Sequence, residues 1–298
     1  MKRVLILVAT MVLVLSMMIP PVALAQTSDV LPAEDTRISR VSPDLLSKPQ
    51  WVSQGSDVKV APKRTNANKY AVVIGIANYR GTGSDLWHSD EDAKEMKEAL
   101  IDNYGFPKKN IKTLLNAQAT AAAIDRAISW LKAKEDEEST VVFFFSGHGF
   151  RAPDGENWDY DSEADGYDEG IVSHDLYGLP DGWLRAKFAN FESQKISMVF
   201  CSCHAGGMFD DNDDLQGTGR VICSACGADQ LGWDYYNLGN TLFGYYFVDE
   251  GILQELADQN ADGSSMEEAL AYAYTKVVDA QKDSQPQLYD NYSGELIP

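Results

Sequence analysis

The chain has 298 residues, 44% of them hydrophobic and 23% charged, and 25 Lys and Arg against 45 Asp and Glu give a formal net charge of −20. This composition is typical of a globular protein with a buried core and excludes an intrinsically disordered chain. The acidic balance argues against nucleic acid and anionic lipid as partners, because binding phosphate groups requires Lys and Arg.

The first 25 residues have the three-part layout of a secretory signal peptide. A basic start at positions 2 and 3 precedes an apolar run over 4–18 and a small-x-small cleavage site at 23–25. We expect cleavage after Ala25, which places the mature chain outside the cytoplasm, secreted or in the cell envelope, and free of the membrane. An uncleaved anchor is the alternative, because this apolar segment is long enough to span a bilayer.

Residues 26–68 are rich in Ser, Pro, Asp and Lys and form a linker or pro-segment, so the ordered domain is expected over 69–298. Hydrophobic spacing in that domain predicts strands over 70–77, 111–115, 140–146, 196–201 and 220–225, and helices over 90–104, 120–134, 240–256 and 266–282. The alternation of strands and helices predicts an α/β fold, with a mainly parallel sheet covered by helices on both faces.

Two predicted strands end in residues that can act together in catalysis. The strand over 140–146 runs into a Gly-His-Gly sequence that contains His148, and the strand over 196–201 runs into a Ser-Cys-His sequence that contains Cys203. Active sites of parallel sheets lie beyond the carboxyl ends of the strands. A thiolate is the nucleophile and an imidazole can take the thiol proton. The backbone N–H groups of Gly149 and Cys203 are candidates for an oxyanion hole.

The chain has four cysteines, all within positions 201–226. An even number of cysteines outside the cytoplasm permits disulfides. A Cys201–Cys223 bridge is one option, but such closely spaced cysteines are poorly placed to staple a whole domain.

These motifs resemble the caspase-like cysteine peptidases, especially their metacaspase branch. Cys203 follows His148 by 55 positions, and further matching stretches are YAVVIGIANYRG, LWHSDEDA, DGYDEGIVSHD and QPQLYD. The resemblance covers about 69–287 and implies a caspase-like three-layer sandwich. It implies that His148 is the general base and acid, that Cys203 is the nucleophile, and that the Gly149 N–H binds the oxyanion. It also implies polypeptide substrates, a monomer, and chemistry that requires no cofactor.

The resemblance also bears on substrate preference. Metacaspases prefer Arg or Lys before the scissile bond and recognise it with carboxylates. One of these carboxylates corresponds to Asp92, and the other corresponds to position 201, where this chain has Cys201 instead of Asp. Because one negative charge is missing, a smaller or uncharged side chain competes with a basic one as the expected preference.

Calcium is a further family trait, since many metacaspases are activated by Ca²⁺ through acidic loops. Hard oxygen ligands in such loops suit this ion, and the segment 258–268 starts like an EF-hand loop. The candidate ligands are Asp165, Asp168, Asp210, Asp258, Asn260 and Asp262. The alternatives are a solvated acidic loop in the first region and, in the second, a glycine turn followed by a helix that Ser265 and Glu268 cap.

The sequence therefore predicts an exported cysteine endopeptidase. The alternative is a catalytically silent caspase-homology module that serves binding or adhesion. The presence of both Cys203 and His148 argues against that alternative, since a module without activity needs neither residue.

Overall fold

The computed structural model of the chain describes residues 68–81, 83–154, 163–211 and 214–298. The predicted signal peptide and residues 26–67 of the predicted pro-segment lie outside the described residues. Within the described ranges, no helix has both the length and the apolar character needed to cross a bilayer.

The described residues form eleven strands and four α-helices of two turns or more. The strands are β1 (Lys69–Gly75), β2 (Ile111–Leu115), β3 (Thr140–Ser146), β4 (Gly149–Pro153), β5 (Tyr167–Val172), β6 (Gly178–Pro180), β7 (Ile196–Cys201), β8 (Arg220–Ser224), β9 (Asp234–Tyr235), β10 (Asn240–Thr241) and β11 (Gln287–Asp290). The helices are α1 (Ser89–Asp102), α2 (Ala121–Lys132), α3 (Asp181–Phe188) and α4 (Met266–Ala280).

A six-stranded sheet forms the centre of the molecule, in the order β11-β8-β7-β3-β1-β2. All neighbouring pairs are parallel except β8 and β11. The predicted α/β fold with a mainly parallel sheet is therefore confirmed. The antiparallel edge strand β11 was not predicted, because its four residues show no apolar run and are mostly exposed.

Strand β3 shows why helices cover both faces of this sheet. All seven of its residues are buried, and successive side chains of a strand point to opposite faces. Phe143 and Phe145 belong to one apolar core, which includes Ile124 of α2. Phe144 belongs to the other core, which includes Met96 of α1. A continuous apolar run thus produces a strand that is buried between two helical layers.

Two further features escaped prediction. Strands β4, β5 and β6 form a small antiparallel sheet that starts immediately after His148. The helix predicted over 240–256 is instead a single α-helical turn at Leu242–Gly244 that continues as a π-helix over Tyr245–Leu253. At that turn Gly244 lies so close to Asp92 that a Cβ would be 2.3 Å from its carboxyl carbon.

Candidate active site

The pairing of β3 with β7 brings the two predicted catalytic segments together. These parallel strands are in register to their ends, with Ser146 opposite Cys201, so their following loops leave the sheet side by side. The Gly147 N–H donates a hydrogen bond to the Cys201 carbonyl at 3.2 Å. As a result, His148 and Cys203 line one narrow crevice at the carboxyl edge of the sheet.

Gly149 holds the two loops in direct contact. A Cβ at this position would lie 2.0 Å from the carbonyl oxygen of Cys203 and 3.2 Å from the hydroxyl of Ser202. Only glycine permits such a close approach of two backbones. The flanking glycine of the histidine motif is thus a packing requirement that sets the distance between the two loops.

Two residues that the sequence analysis did not single out orient His148. Its backbone N–H donates to the Tyr79 hydroxyl at 2.7 Å, and the two rings pack with their centroids 4.7 Å apart. Its Nε2 lies 2.8 Å from the carbonyl oxygen of Ser84. A carbonyl only accepts hydrogen bonds, so Nε2 carries the proton and Nδ1 is left as the basic nitrogen. Tyr79 lies in the YAVVIGIANYRG stretch, which the sequence analysis had noted. The contact of Ser84 is made by its backbone carbonyl, and the identity of a residue in the sequence does not indicate such a contact.

The resting cysteine and histidine are both neutral. Burial raises the pKa of the Cys203 thiol to about 11 and lowers the pKa of His148 to about 4. The thiol donates to the Gly232 carbonyl at a sulfur–oxygen distance of 3.7 Å. Within the described residues, both groups thus hydrogen-bond to backbone carbonyls and not to each other. Proton transfer between them therefore requires a change in the crevice, such as the entry of a substrate.

The remaining cysteines leave the nucleophile available. All four cysteines are free thiols, so the structure contains no Cys201–Cys223 bridge. Burial raises the pKa of the Cys203 thiol, and the backbone N–H of the same residue partly offsets this effect. The neighbouring His204 turns away, and its Nδ1 lies 2.8 Å from the Ala228 carbonyl oxygen.

Asp92 and Cys201, the two positions implied in substrate recognition, occupy different environments. Asp92 is fully buried and accepts hydrogen bonds from the Ser146 hydroxyl at 2.7 Å and from the Thr241 hydroxyl at 2.7 Å. Burial raises the pKa of the Asp92 carboxyl to about 7. Cys201 lines the crevice, whereas Asp92 lies behind its wall. The Asp92 carboxylate thus already has hydrogen-bond partners from the protein.

The first group of candidate calcium ligands lies beside the small antiparallel sheet. Asp165 forms an ion pair with Arg151 at 2.5 Å, and Glu169 binds the same guanidinium at 2.7 Å. Asp168 is fully buried in β5, and the pKa of the Asp210 carboxyl is raised, first by partial desolvation and then by Asp165. Asp165 therefore already has a cationic partner.

The second group shapes a turn before α4. The Asp258 carboxylate accepts backbone N–H groups from Asn260, Ala261 and Gly263, and Asn260 accepts the N–H of Asp262 at 3.1 Å. Ser265 and Glu268 form the capping box that the sequence offered as the alternative. These side chains thus organise a turn and a helix start.

Two sets of carboxylates in the described residues converge closely enough to hold a cation. Oxygens of Glu163, Asp181 and Asp214 lie within 4.8 Å of one another, and so do those of Asp258, Asp262 and Glu268. Asp181 and Asp214 are buried. Converging oxygen ligands of this kind match the coordination that Ca²⁺ prefers. Glu163, Asp181 and Asp214 were not among the predicted ligands, because they lie on separate segments of the chain.

Comparison with known proteins identifies the domain. The family model described as the caspase domain matches residues 68–296. Metacaspase-4 of Arabidopsis thaliana is 34% identical over 149 residues, which are 48% of this chain and 35% of that protein. Metacaspase-1A of Aspergillus oryzae is 31% identical over 151 residues, which are 47% of this chain and 35% of that protein. The aligned region thus spans about a third of the length of these relatives.

A solved structure shows the same fold. The crystal structure of protein GSU0716 from Geobacter sulfurreducens superposes with a TM-score of 0.57 and 19% sequence identity. The superposition covers 76% of this chain and 94% of the other. At this level of identity the likeness establishes the architecture of the domain.

Proposed function

Since this chain belongs to the caspase-domain family of cysteine peptidases, we propose that it is an exported, monomeric cysteine endopeptidase that cleaves polypeptides with Cys203 and His148. The observation that carries the proposal is the crevice that these two side chains both line, at the ends of neighbouring strands. Gly149 supports it, because its contact with the Cys203 carbonyl holds the two loops together.

The geometry supports a two-step hydrolysis. Nδ1 of His148 takes the thiol proton while the sulfur of Cys203 attacks the peptide carbonyl carbon. The N–H groups of Gly149 and Cys203 stabilise the oxyanion. The imidazolium then protonates the leaving amine as the C–N bond breaks, which leaves a thioester. Water, deprotonated by His148, attacks the thioester, and the acid product and the thiol are released.

The neutral resting pair determines when this chemistry starts. A thiol with a pKa of about 11 beside an imidazole with a pKa of about 4 does not ionise on its own at neutral pH. Proton transfer accompanies attack on a bound carbonyl, whose developing negative charge stabilises the imidazolium. The Ser84 carbonyl, 2.8 Å from Nε2, keeps the ring in the required tautomer throughout.

The direct test uses the purified mature chain and a peptide library that varies the residue before the cleaved bond. Cys203→Ala is expected to remove all turnover. Cys223→Ala is the matched control, since Cys223 is also a buried free thiol but does not line the crevice. Turnover that survives in Cys203→Ala refutes the mechanism. A wild-type chain that cleaves no peptide, with or without Ca²⁺, supports the silent binding module instead.

We further propose that substrates carry Arg or Lys before the scissile bond. An acidic protein with carboxylates beside its crevice offers a favourable field for a cation. The residues that the family resemblance implies for this role are Asp92 and Cys201. The peptide library measures this preference directly, and a preference for small or uncharged residues would refute it.

We also propose that Ca²⁺ activates the enzyme by binding beside the small antiparallel sheet. The oxygens of Glu163, Asp181 and Asp214 support a cation there, because they lie within 4.8 Å of one another and carboxylate oxygens are the ligands that Ca²⁺ prefers. Asp181→Asn is expected to weaken both Ca²⁺ binding, measured by calorimetry, and Ca²⁺-dependent turnover. Asp262→Asn is the matched control for the turn before α4. Unchanged Ca²⁺ binding in Asp181→Asn refutes this site.

A further inference from the structure

A second carboxylate, outside the motifs that the sequence analysis singled out, lines the catalytic crevice. Asp234 is the first residue of β9 and is only 2% exposed. It contributes to the wall of the same crevice as His148 and Cys203. Asp92, by contrast, does not reach the surface of the crevice. Asp234 is thus a buried acid on the wall of the catalytic crevice.

The two carboxylate oxygens of Asp234 have different environments. Oδ2 accepts the backbone N–H of Trp87 at 2.6 Å and that of His88 at 3.3 Å. Oδ1 is buried and accepts no hydrogen bond from any described residue. The hydroxyl of Ser89, also on the crevice wall, is buried without a partner in the same described part of the chain. Buried acceptors without donors are rare and costly in folded proteins.

In the described part of the chain, Asp234 also has no Lys or Arg as an ion-pair partner. Burial raises the pKa of the Asp234 carboxyl, and the two backbone N–H groups on Oδ2 and the nearby His88 side chain only partly offset this effect. A buried carboxylate becomes far less costly when a positive group with hydrogen-bond donors approaches it. The missing partner of Asp234 is therefore a cationic donor.

The crevice has space for about one water, about 20 Å³, so its apolar walls must move apart to admit the stem of such a side chain. Leu86, Trp233 and Phe243 line its walls. Long basic side chains bury their methylene groups against apolar surfaces and keep their charged end at a polar group. Apolar walls that also carry two polar groups without partners, Asp234 Oδ1 and the Ser89 hydroxyl, match this division.

We propose that Asp234 is the specificity-determining residue of the crevice, and that its Oδ1, with the Ser89 hydroxyl, receives the charged end of an Arg or Lys side chain before the scissile bond. The inference rests on the proposed peptidase function. It adds Asp234 to Asp92 and position 201, the positions that the resemblance implied for basic recognition. It also explains how the crevice retains an acid although Cys201 replaces an aspartate.

The test compares two peptides that differ only before the cleaved bond, one with arginine and one with citrulline, its uncharged isostere. The ratio of their kcat/KM values is independent of the fraction of active enzyme. Asp234→Asn keeps an oxygen for the Trp87 and His88 amides but removes the charge. It is expected to lower the arginine-to-citrulline ratio by about 10- to 100-fold, the range for losing a hydrogen bond to a charged group.

Three companion variants make the result decisive. Asp234→Glu retains the charge and is expected to retain discrimination against citrulline. Asp234→Ser, a second uncharged variant with a short acceptor for the two amides, serves if Asp234→Asn does not fold. Asp249→Asn, which removes an acid of the π-helix that does not line the crevice, is expected to leave the ratio within about threefold of wild type.

The outcomes separate this inference from the function on which it rests. An active Asp234→Asn enzyme with an unchanged ratio refutes the inference alone. A ratio that falls as far in Asp249→Asn as in Asp234→Asn shows a general effect of charge and refutes it as well. A wild type that prefers citrulline or glutamine peptides shows that the crevice binds an amide and refutes the cationic partner. A wild type inactive on every peptide overturns the peptidase function, and this inference falls with it.

Discussion

Replacing Gly149 with alanine tests how tightly the two catalytic loops must pack. The added Cβ would lie 2.0 Å from the Cys203 carbonyl oxygen and 3.0 Å from its carbon. To reach the 3.4 Å of an ordinary contact, one loop must retreat by about 1.4 Å. Both contacting atoms belong to the backbone, so no side-chain rotation can relieve the clash.

A displacement of this size has two measurable consequences. A shift of about 1 Å between reacting groups costs on the order of 100-fold in rate, so kcat/KM should fall at least that far. Overpacking a buried site typically costs about 1–3 kcal/mol, which lowers Tm by roughly 2–12 °C for a domain of this size. Both are measured on the purified mature chain, with a fluorogenic peptide and by thermal unfolding.

Gly83→Ala is the matched control, because a Cβ there meets no atom within 4 Å. We expect this variant to keep its activity within about twofold and its Tm within about 2 °C. If Gly149→Ala retains wild-type kcat/KM and Tm, the contact between the loops does not set the catalytic geometry, and the reasoning fails.

Three further predictions follow from the environment of the catalytic pair. Tyr79→Phe leaves the buried N–H of His148 without its acceptor and should lower the free energy of unfolding by about 1–3 kcal/mol; an unchanged urea midpoint would contradict this. Burial lowers the pKa of His148 to about 4, so the stability that its neutral form contributes is complete above pH 6.5 and is lost as the pH falls through 4. For the same reason the acid limb of kcat/KM should lie near pH 4. An acid limb near pH 6.5 would show that the imidazole is solvated. Since the pKa of the Cys203 thiol is about 11, iodoacetamide should label it slowly at pH 7 and progressively faster towards pH 11. The labelling rate is measured by mass spectrometry. Rapid labelling at pH 7 would contradict a neutral resting thiol.

The sequence predicted the central sheet because its strands carry strong and continuous signals. The run over 140–146 is apolar throughout, which indicates a strand buried on both faces. The short strands β4, β5 and β6 carry weak signals, because polar residues and glycines interrupt them. The π-helix at 245–253 was predicted as α-helix, since both share a similar hydrophobic spacing.

The sequence by itself determined the chemistry of the site, a thiol and an imidazole at two strand ends, and the strongly acidic balance of the chain. The tertiary structure alone decided which partners surround these groups. It placed the Ser84 carbonyl beside His148, brought Gly149 against Cys203, and left Oδ1 of Asp234 without a described hydrogen-bond donor. The residues that create these environments are far apart in the chain. Residue type fixes what a group can do, whereas burial and neighbours, which only folding brings together, fix its protonation, its orientation and the ligand it can accept.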